Sequence, residues 1–122
     1  MQLFPPIDDL NFLLGKEISN IVFETCGVHF IWWDGGEIHA MRDFSHIDPE
    51  GKYHQFGEGL LDPPSLLHRL IQRKVVALEV NEDSMVMKFD DGQSLIFHAV
   101  AGRGENRLIQ FGRTLEDDWI VW

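Results

Sequence analysis

The sequence predicts a β-rich α+β domain. It is built of two tandem units, each a short helix followed by a three-stranded antiparallel meander, with an extra C-terminal strand. Three observations predict it. The chain repeats itself: at an offset of 57 residues, 3–43 fall on 60–100 without a gap, and six pairs are identical, Leu3/Leu60, Pro6/Pro63, Leu10/Leu67, Leu13/Leu70, Asp34/Asp91 and Gly35/Gly92. Apolar residues meet apolar residues across the copies, as in Ile18/Val75, Ile21/Leu78, Phe23/Val80, Val28/Met85, Phe30/Met87, Trp32/Phe89 and Ile38/Leu95. The Asp-Gly dipeptides at 34–35 and 91–92 are hairpin signals, because that pair tolerates positive φ. What repeats is turns and core positions, and no plausible catalytic group is shared.

Each unit opens on a proline-marked helix candidate. In the first, Pro5-Pro6 leads to Asp8-Asp9, whose charge suits a helix start, then to Leu10, Leu13 and Leu14, with Gly15 as the stop. In the second, Asp62-Pro63-Pro64-Ser65 precedes Leu66, Leu67, Leu70 and Ile71 on one helical face. Both are short and depend on packing against the sheet. Strands are expected at 17–23, 28–33 and 37–42, and again at 74–80, 85–90 and 94–100. Alternation is clearest in the middle strand, with Val28, Phe30 and Trp32 on one face and His29, Ile31 and Trp33 on the other. The other face needs a cover, and a helix is the default.

Two stretches lie outside the repeat. Residues 44–59, FSHIDPEGKYHQFGEG, read as a long polar loop, and such loops often carry function. Residues 101–122 open with an AGRGEN turn, continue as a strand near 106–112 and end in TLEDDWIVW, a strand or a short helix. Thr114 and Asp117 there have capping-box spacing.

Size and charge narrow the class. All 122 residues form a single domain, able to bury about two thirds of its unfolded surface. Cys26 is the lone cysteine, so a reducing compartment fits. The opening MQLFPPIDDL has no basic residue and no long apolar run, so neither a signal peptide nor a membrane span is expected, and the reading is cytoplasmic. Twenty acids against ten bases give a net charge of −10, which repels nucleic acid and anionic lipid and attracts basic partners.

Catalytic and metal motifs are absent as linear patterns. The histidines at 29, 39, 46, 54, 68 and 98 form no HxH, HxxxH or HExxH pair. A site assembled in space from His39, His46 and His54 with Asp48 competes with ordinary hydrogen-bonding histidines, and the latter reading is preferred. Cys26 with His29 is too local to suggest a dyad. No GxSxG, phosphate-loop or dinucleotide-binding pattern occurs. No catalytic residue, cofactor or metal is therefore expected. Paired acids at 8–9, 82–83, 90–91 and 116–118 fall at turns or a helix start, where solvated carboxylates are usual. Trp119 and Trp122 follow three acids, the composition of a surface that captures a basic protein, although the tail could simply pack on its own sheet.

A middle strand ending in Asp-Gly (Leu14-Gly15-Lys16 through Asp34-Gly35) is followed by leucines 66–71 and a strand pair ending in Phe89-Asp90-Asp91-Gly92. This arrangement, across residues 10–98, resembles the immunity proteins of polymorphic toxin and contact-dependent growth inhibition systems. The resemblance implies a small acidic cytosolic protein that neutralises one cognate toxin, and it carries over no contact residue. The expected function is protein binding, with acids and aromatics covering the basic cleft of a toxin, often a nuclease. The expected partner-binding residues are Asp48, Glu50, Tyr53, Glu116, Asp117, Asp118 and Trp119. An open sheet edge could instead accept a partner strand. The rival is a small enzyme or ligand-binding domain with a pocket between the units, lined by Trp33, His29, His39 and Met41. A monomer or a homodimer fits either reading.

Overall fold

The computed structural model describes residues 7–24, 27–33, 36–40, 44–56, 66–98, 107–109 and 119–121. Among them, ten strands follow in chain order: β1 (Ile18–Glu24), β2 (Gly27–Trp32), β3 (Glu37–Ala40), β4 (Phe44–Ile47), β5 (Tyr53–Phe56), β6 (Val75–Val80), β7 (Ser84–Phe89), β8 (Ser94–His98), β9 (Arg107–Ile109) and β10 (Trp119–Val121). They form two antiparallel five-stranded sheets, ordered β1-β2-β3-β9-β10 and β5-β4-β8-β7-β6.

The expected helix-plus-meander units are corrected. Among the described residues, the segment before β1 holds one α-turn, Ile7–Leu10, and a 3-10 turn, Asn11–Leu13, and the segment before β6 holds a 3-10 turn, Leu67–Leu70. An i, i+3 leucine pair suits a 3-10 turn as well as an α-helix. One turn is enough to bury Leu10 and Leu13, or Leu67 and Leu70, after which Leu14 and Ile71 are already extended. The domain is two packed antiparallel sheets, not an α+β assembly of helices on meanders.

The 57-residue offset nevertheless recurs in backbone detail. Ile18 pairs with Trp32 and a bulge follows before Asn20; Val75 pairs with Phe89 and a bulge follows before Ala77. The two units meet through reciprocal bonds. The N–H of Gly15 donates to the carbonyl of Val75 at 2.8 Å, and that of Gln72 to the carbonyl of Ile18 at 2.8 Å. Ile18 N–H donates to Arg73 O at 3.2 Å, and Val75 N–H to Lys16 O at 3.1 Å. Each bond becomes its mate when 57 is added or subtracted, which is the signature of an approximate two-fold relation.

The polar stretch expected as a loop is instead a hairpin. Strands β4 and β5 pair with each other, and β4 docks on β8 of the other sheet. Correspondingly, β9 docks on β3 and β10 on β9. Each unit thus lends its last hairpin to the sheet of the other. Ser45 faces Ile96 as Arg107 faces His39, so the two hairpins occupy matching places and are not unrelated insertions.

One apolar core fills the space between the sheets. Phe30 meets Phe44 and Phe97 edge-on, with centroids 5.7 and 6.0 Å apart, and Phe44 stacks on Phe56 at 4.8 Å. Trp32 is buried beside them, while Met85, Met87, Phe89 and Leu95 supply the second sheet. Trp33 is 59 % exposed, and no helix among the described residues covers its face as expected. No helix among the described residues is long and apolar enough to cross a membrane.

Candidate functional site

Alternation decides which side chains leave the core. In β2 and β3, Val28, Phe30, Ile38 and Ala40 point inward, so His29, Glu37 and His39 occupy the outer face. His29 and His39 are direct cross-strand partners, and their rings stack at 3.7 Å with 13° between planes. Glu24, the last residue of β1, reaches both: its Oε1 lies 3.0 Å from His29 Nε2 and its Oε2 lies 3.9 Å from His39 Nε2. On the far side of His29, Glu37 Oε2 sits 3.3 Å from Nδ1. One ligand atom each from Glu24, His29 and His39 fits within 4.8 Å of the others.

A linear motif search misses this cluster because the two histidines are ten residues apart. The signal was nonetheless present. Positions 29 and 39 are each five residues from Asp34, and an antiparallel hairpin centred on that residue makes them face each other.

A second polar cluster lies at the β4–β5 end of the other sheet. Asp48 is buried, and its Oδ1 accepts the backbone N–H groups of Glu50 and Lys52, both at 2.9 Å. Its Oδ2 accepts from His54 Nε2 at 2.8 Å. Hydrogen bonding from His54, reinforced by the backbone donors of Lys52 and Glu50, outweighs burial and brings the Asp48 pKa down to about 2. Beside it, His46 Nε2 donates to Gln93 Oε1 at 2.8 Å, while the Gln93 amide donates to Asp91 and to the Arg69 carbonyl. Burial pushes the His46 pKa below its usual value of 6.5. The expected grouping of His46, His54 and Asp48 therefore exists, but as a satisfied hydrogen-bond network; His39 belongs elsewhere, against His29.

The sequence-predicted partner residues separate. Asp48 is a buried turn former, a correction to its place in a docking surface: in the loop D-P-E-G-K its carboxylate caps the hairpin backbone. Glu50 is exposed and lies 3.4 Å from Arg69. Tyr53 is 55 % exposed, and its hydroxyl is 2.7 Å from Ser45 Oγ, which in turn is 3.2 Å from His98 Nε2. Ser45 is fully buried, so this contact resembles a nucleophile and base but offers no access to a substrate. Glu116, Asp117 and Asp118 lie outside the described residues; Trp119 begins β10, with its side chain outside them too.

At the junction of the units, Gly15, Lys16, Glu17, Trp33 and Lys74 line an open depression of about 280 Å³. Of the residues the pocket reading placed together, Trp33 is there, His29 and His39 are not among its lining, and Met41 lies outside the described residues. Comparison with protein-family models, curated proteins and solved structures finds no match.

Proposed function

We propose that this chain is a binding protein that neutralises a basic partner, a cognate toxin of the kind the sequence resembles, by pairing with it along the open edge of β1. The observation that carries this is the character of that edge. Strand β1 is the outermost strand of its sheet; past Ile18, which bonds to Gln72 and Arg73 of the other unit, and the bulge before Asn20, its residues 20–24 contain no lysine or proline, and Val22 and Phe23 are exposed at 40 and 43 %. Edge strands are normally blunted by charge, proline or brevity, and one that is not is a template for another strand.

Chemistry around the edge favours a basic partner. Val22 and Phe23 run directly into Glu24, and Glu37 shares the same outer face. With a net charge of −10, the whole chain would speed encounter with a cationic surface, while the two apolar side chains would slow release. Covering the partner by this route requires no catalytic group, in keeping with the turns and core positions that make up the repeat.

Co-expression with the protein encoded immediately upstream tests the proposal. The expected outcome is toxicity of that protein alone, relief by this chain, and co-purification of the two. Phe23→Lys, placed on the exposed edge, should weaken the complex by about 2 kcal/mol, as expected of a central apolar contact, without lowering the melting temperature. A harmless upstream protein, or one that never co-purifies, removes the basis for the reading.

A further inference from the structure

The geometry points to a divalent transition-metal site on the outer face of the first sheet, with Glu24, His29 and His39 as ligands and Zn²⁺ the ion of best-matched chemistry. The argument begins with donor spacing. Ligands held 2.0–2.1 Å from a tetrahedral zinc lie roughly 3.4 Å from one another. The distances from the Glu24 carboxylate to the two Nε2 atoms are 3.0 and 3.9 Å, bracketing that value. The stacked rings have nearly parallel planes, so at least one imidazole must turn about its Cβ–Cγ bond to bring both Nε2 lone pairs onto the ion; the backbone need not move, because the β2–β3 register already places His29 opposite His39.

The second argument is the support behind the ligands. A metal-bound imidazole almost always donates its other ring N–H to a carboxylate or carbonyl, which fixes the tautomer. Glu37 stands at that place, 3.3 Å from His29 Nδ1, leaving Nε2 to face Glu24 and His39. Although Glu24 Oε1 lies 3.0 Å from His29 Nε2, that nitrogen is buried without a hydrogen-bond partner among the described residues. Two imidazoles with one carboxylate form a donor set suited to zinc, and to nickel, cobalt or copper by the same donors. Glu24 is half exposed, so the fourth position is open to water. The inference is independent of any protein partner, although Glu24 also ends the proposed docking edge.

Calorimetric titration of tag-free protein with zinc chloride, paired with cobalt(II) absorption spectra, tests the site. Saturation at one ion per chain is expected, with the intense visible bands of four-coordinate cobalt. His29→Gln and His39→Gln should each abolish saturable binding, and Glu37→Gln should weaken it about 10- to 100-fold. His54→Gln, which alters only the separate Asp48 network, should leave stoichiometry and affinity unchanged. If the histidine variants fold poorly, nitrogen-15 spectra of the wild-type imidazoles give the same answer, since zinc should displace the signals of His29 and His39 alone. Binding weaker than about 1 mM, or binding that moves His46 and His54 instead, overturns the assignment. Loss of zinc binding without loss of partner capture, or the reverse, separates this inference from the docking edge.

Discussion

Gln72 holds φ at 71°, and the residue 57 positions earlier, Gly15, holds φ at 81°. Both units turn the chain the same way between the 3-10 turn and the first strand, but only the first uses the residue that does so without strain. A non-glycine in this region costs about 1–3 kcal/mol, and glycine returns about 0.5–1 kcal/mol of that in unfolded-state entropy. Gln72→Gly should therefore stabilise the protein by about 1 kcal/mol, a rise of about 4 °C in melting temperature by calorimetry; an unchanged or lower value would show that the strain is relieved locally. The reverse asymmetry occurs at Gly36. Its φ is 128°, and a Cβ there would lie 3.0 Å from both Leu13 Cδ2 and Phe12 Cε2. Gly36→Ala should lower stability by about 2 kcal/mol or more, through strain and overpacking together, measured by denaturant unfolding. The repeat mate of Gly36 is Gln93, whose side chain reaches Arg69 O, the mate position of Phe12. Aligning the sequence exposes both mismatches. It cannot show that one position packs under a ring while the other anchors a hydrogen-bond network, because that depends on which side chains the fold brings against each position.

The β4–β5 hairpin shows most plainly where pattern reading ran out. FSHI and YHQF are four-residue strands with a histidine in each, and two polar faces hide the alternation on which a strand assignment depends. Burial resolves it, since His46 and His54 lie on the core side with Phe44 and Phe56, and Asp48 closes the turn between them. The longer strands of the repeat, with a strong period of two, were legible to within a residue or two. The turns before β1 and β6 were legible as apolar pairs but not as helices of a given length. The buried polar groups of this hairpin set its pH response. Asp48 has its pKa lowered from 3.8 to about 2, so its contribution is complete above about pH 4 and is lost as pH falls through about 2. Asp48→Asn should flatten the fall in melting temperature between pH 4 and pH 2. His46 works at a higher range. Burial disfavours its charged form, a change partly opposed by Gln93, Asp48 and Asp91 and assisted by His54, so the unfolded chain binds a proton more readily than the folded one. Stability should therefore decline as pH drops below about 6.5, and His46→Gln should reduce that decline if the neutral side chain retains its bond to Gln93. A wild-type curve that is level from pH 7 to pH 5 would count against a buried neutral His46.

Exchange of hairpins binds the two units into one cooperative molecule. Each meander is completed by strands that arrive from the other half: β4 and β5 extend the second sheet, β9 and β10 the first. The apolar face of each sheet is covered by the other, with Phe30 wedged against Phe44 and Phe97 across the interface. The duplication in the sequence did reveal two equivalent units, but it did not show that strands outside the repeat complete each sheet from the other half. Pairing across halves leaves no mark in a repeat alignment, because the exchanged hairpins do not align at the 57-residue offset: Ser45 and Arg107, which occupy matching places, are 62 residues apart. A fragment comprising residues 1–57 would lose the strand neighbours of both β3 and β4, and with them the sheet that covers its core. A fragment comprising 58–122 would lose the equivalent contacts of β8 and β9. A chain of about 60 residues is marginal even with a complete core, and each half has lost the sheet that faces it. Each fragment by itself should give the circular dichroism and amide spectra of an unfolded chain. Mixed in equal amounts, they should recover the β-sheet spectrum and a single melting transition whose midpoint rises with concentration. A half that folds as a monomer would mean that its hairpin closes back on its own meander, and that the exchange between sheets is not what holds the molecule together.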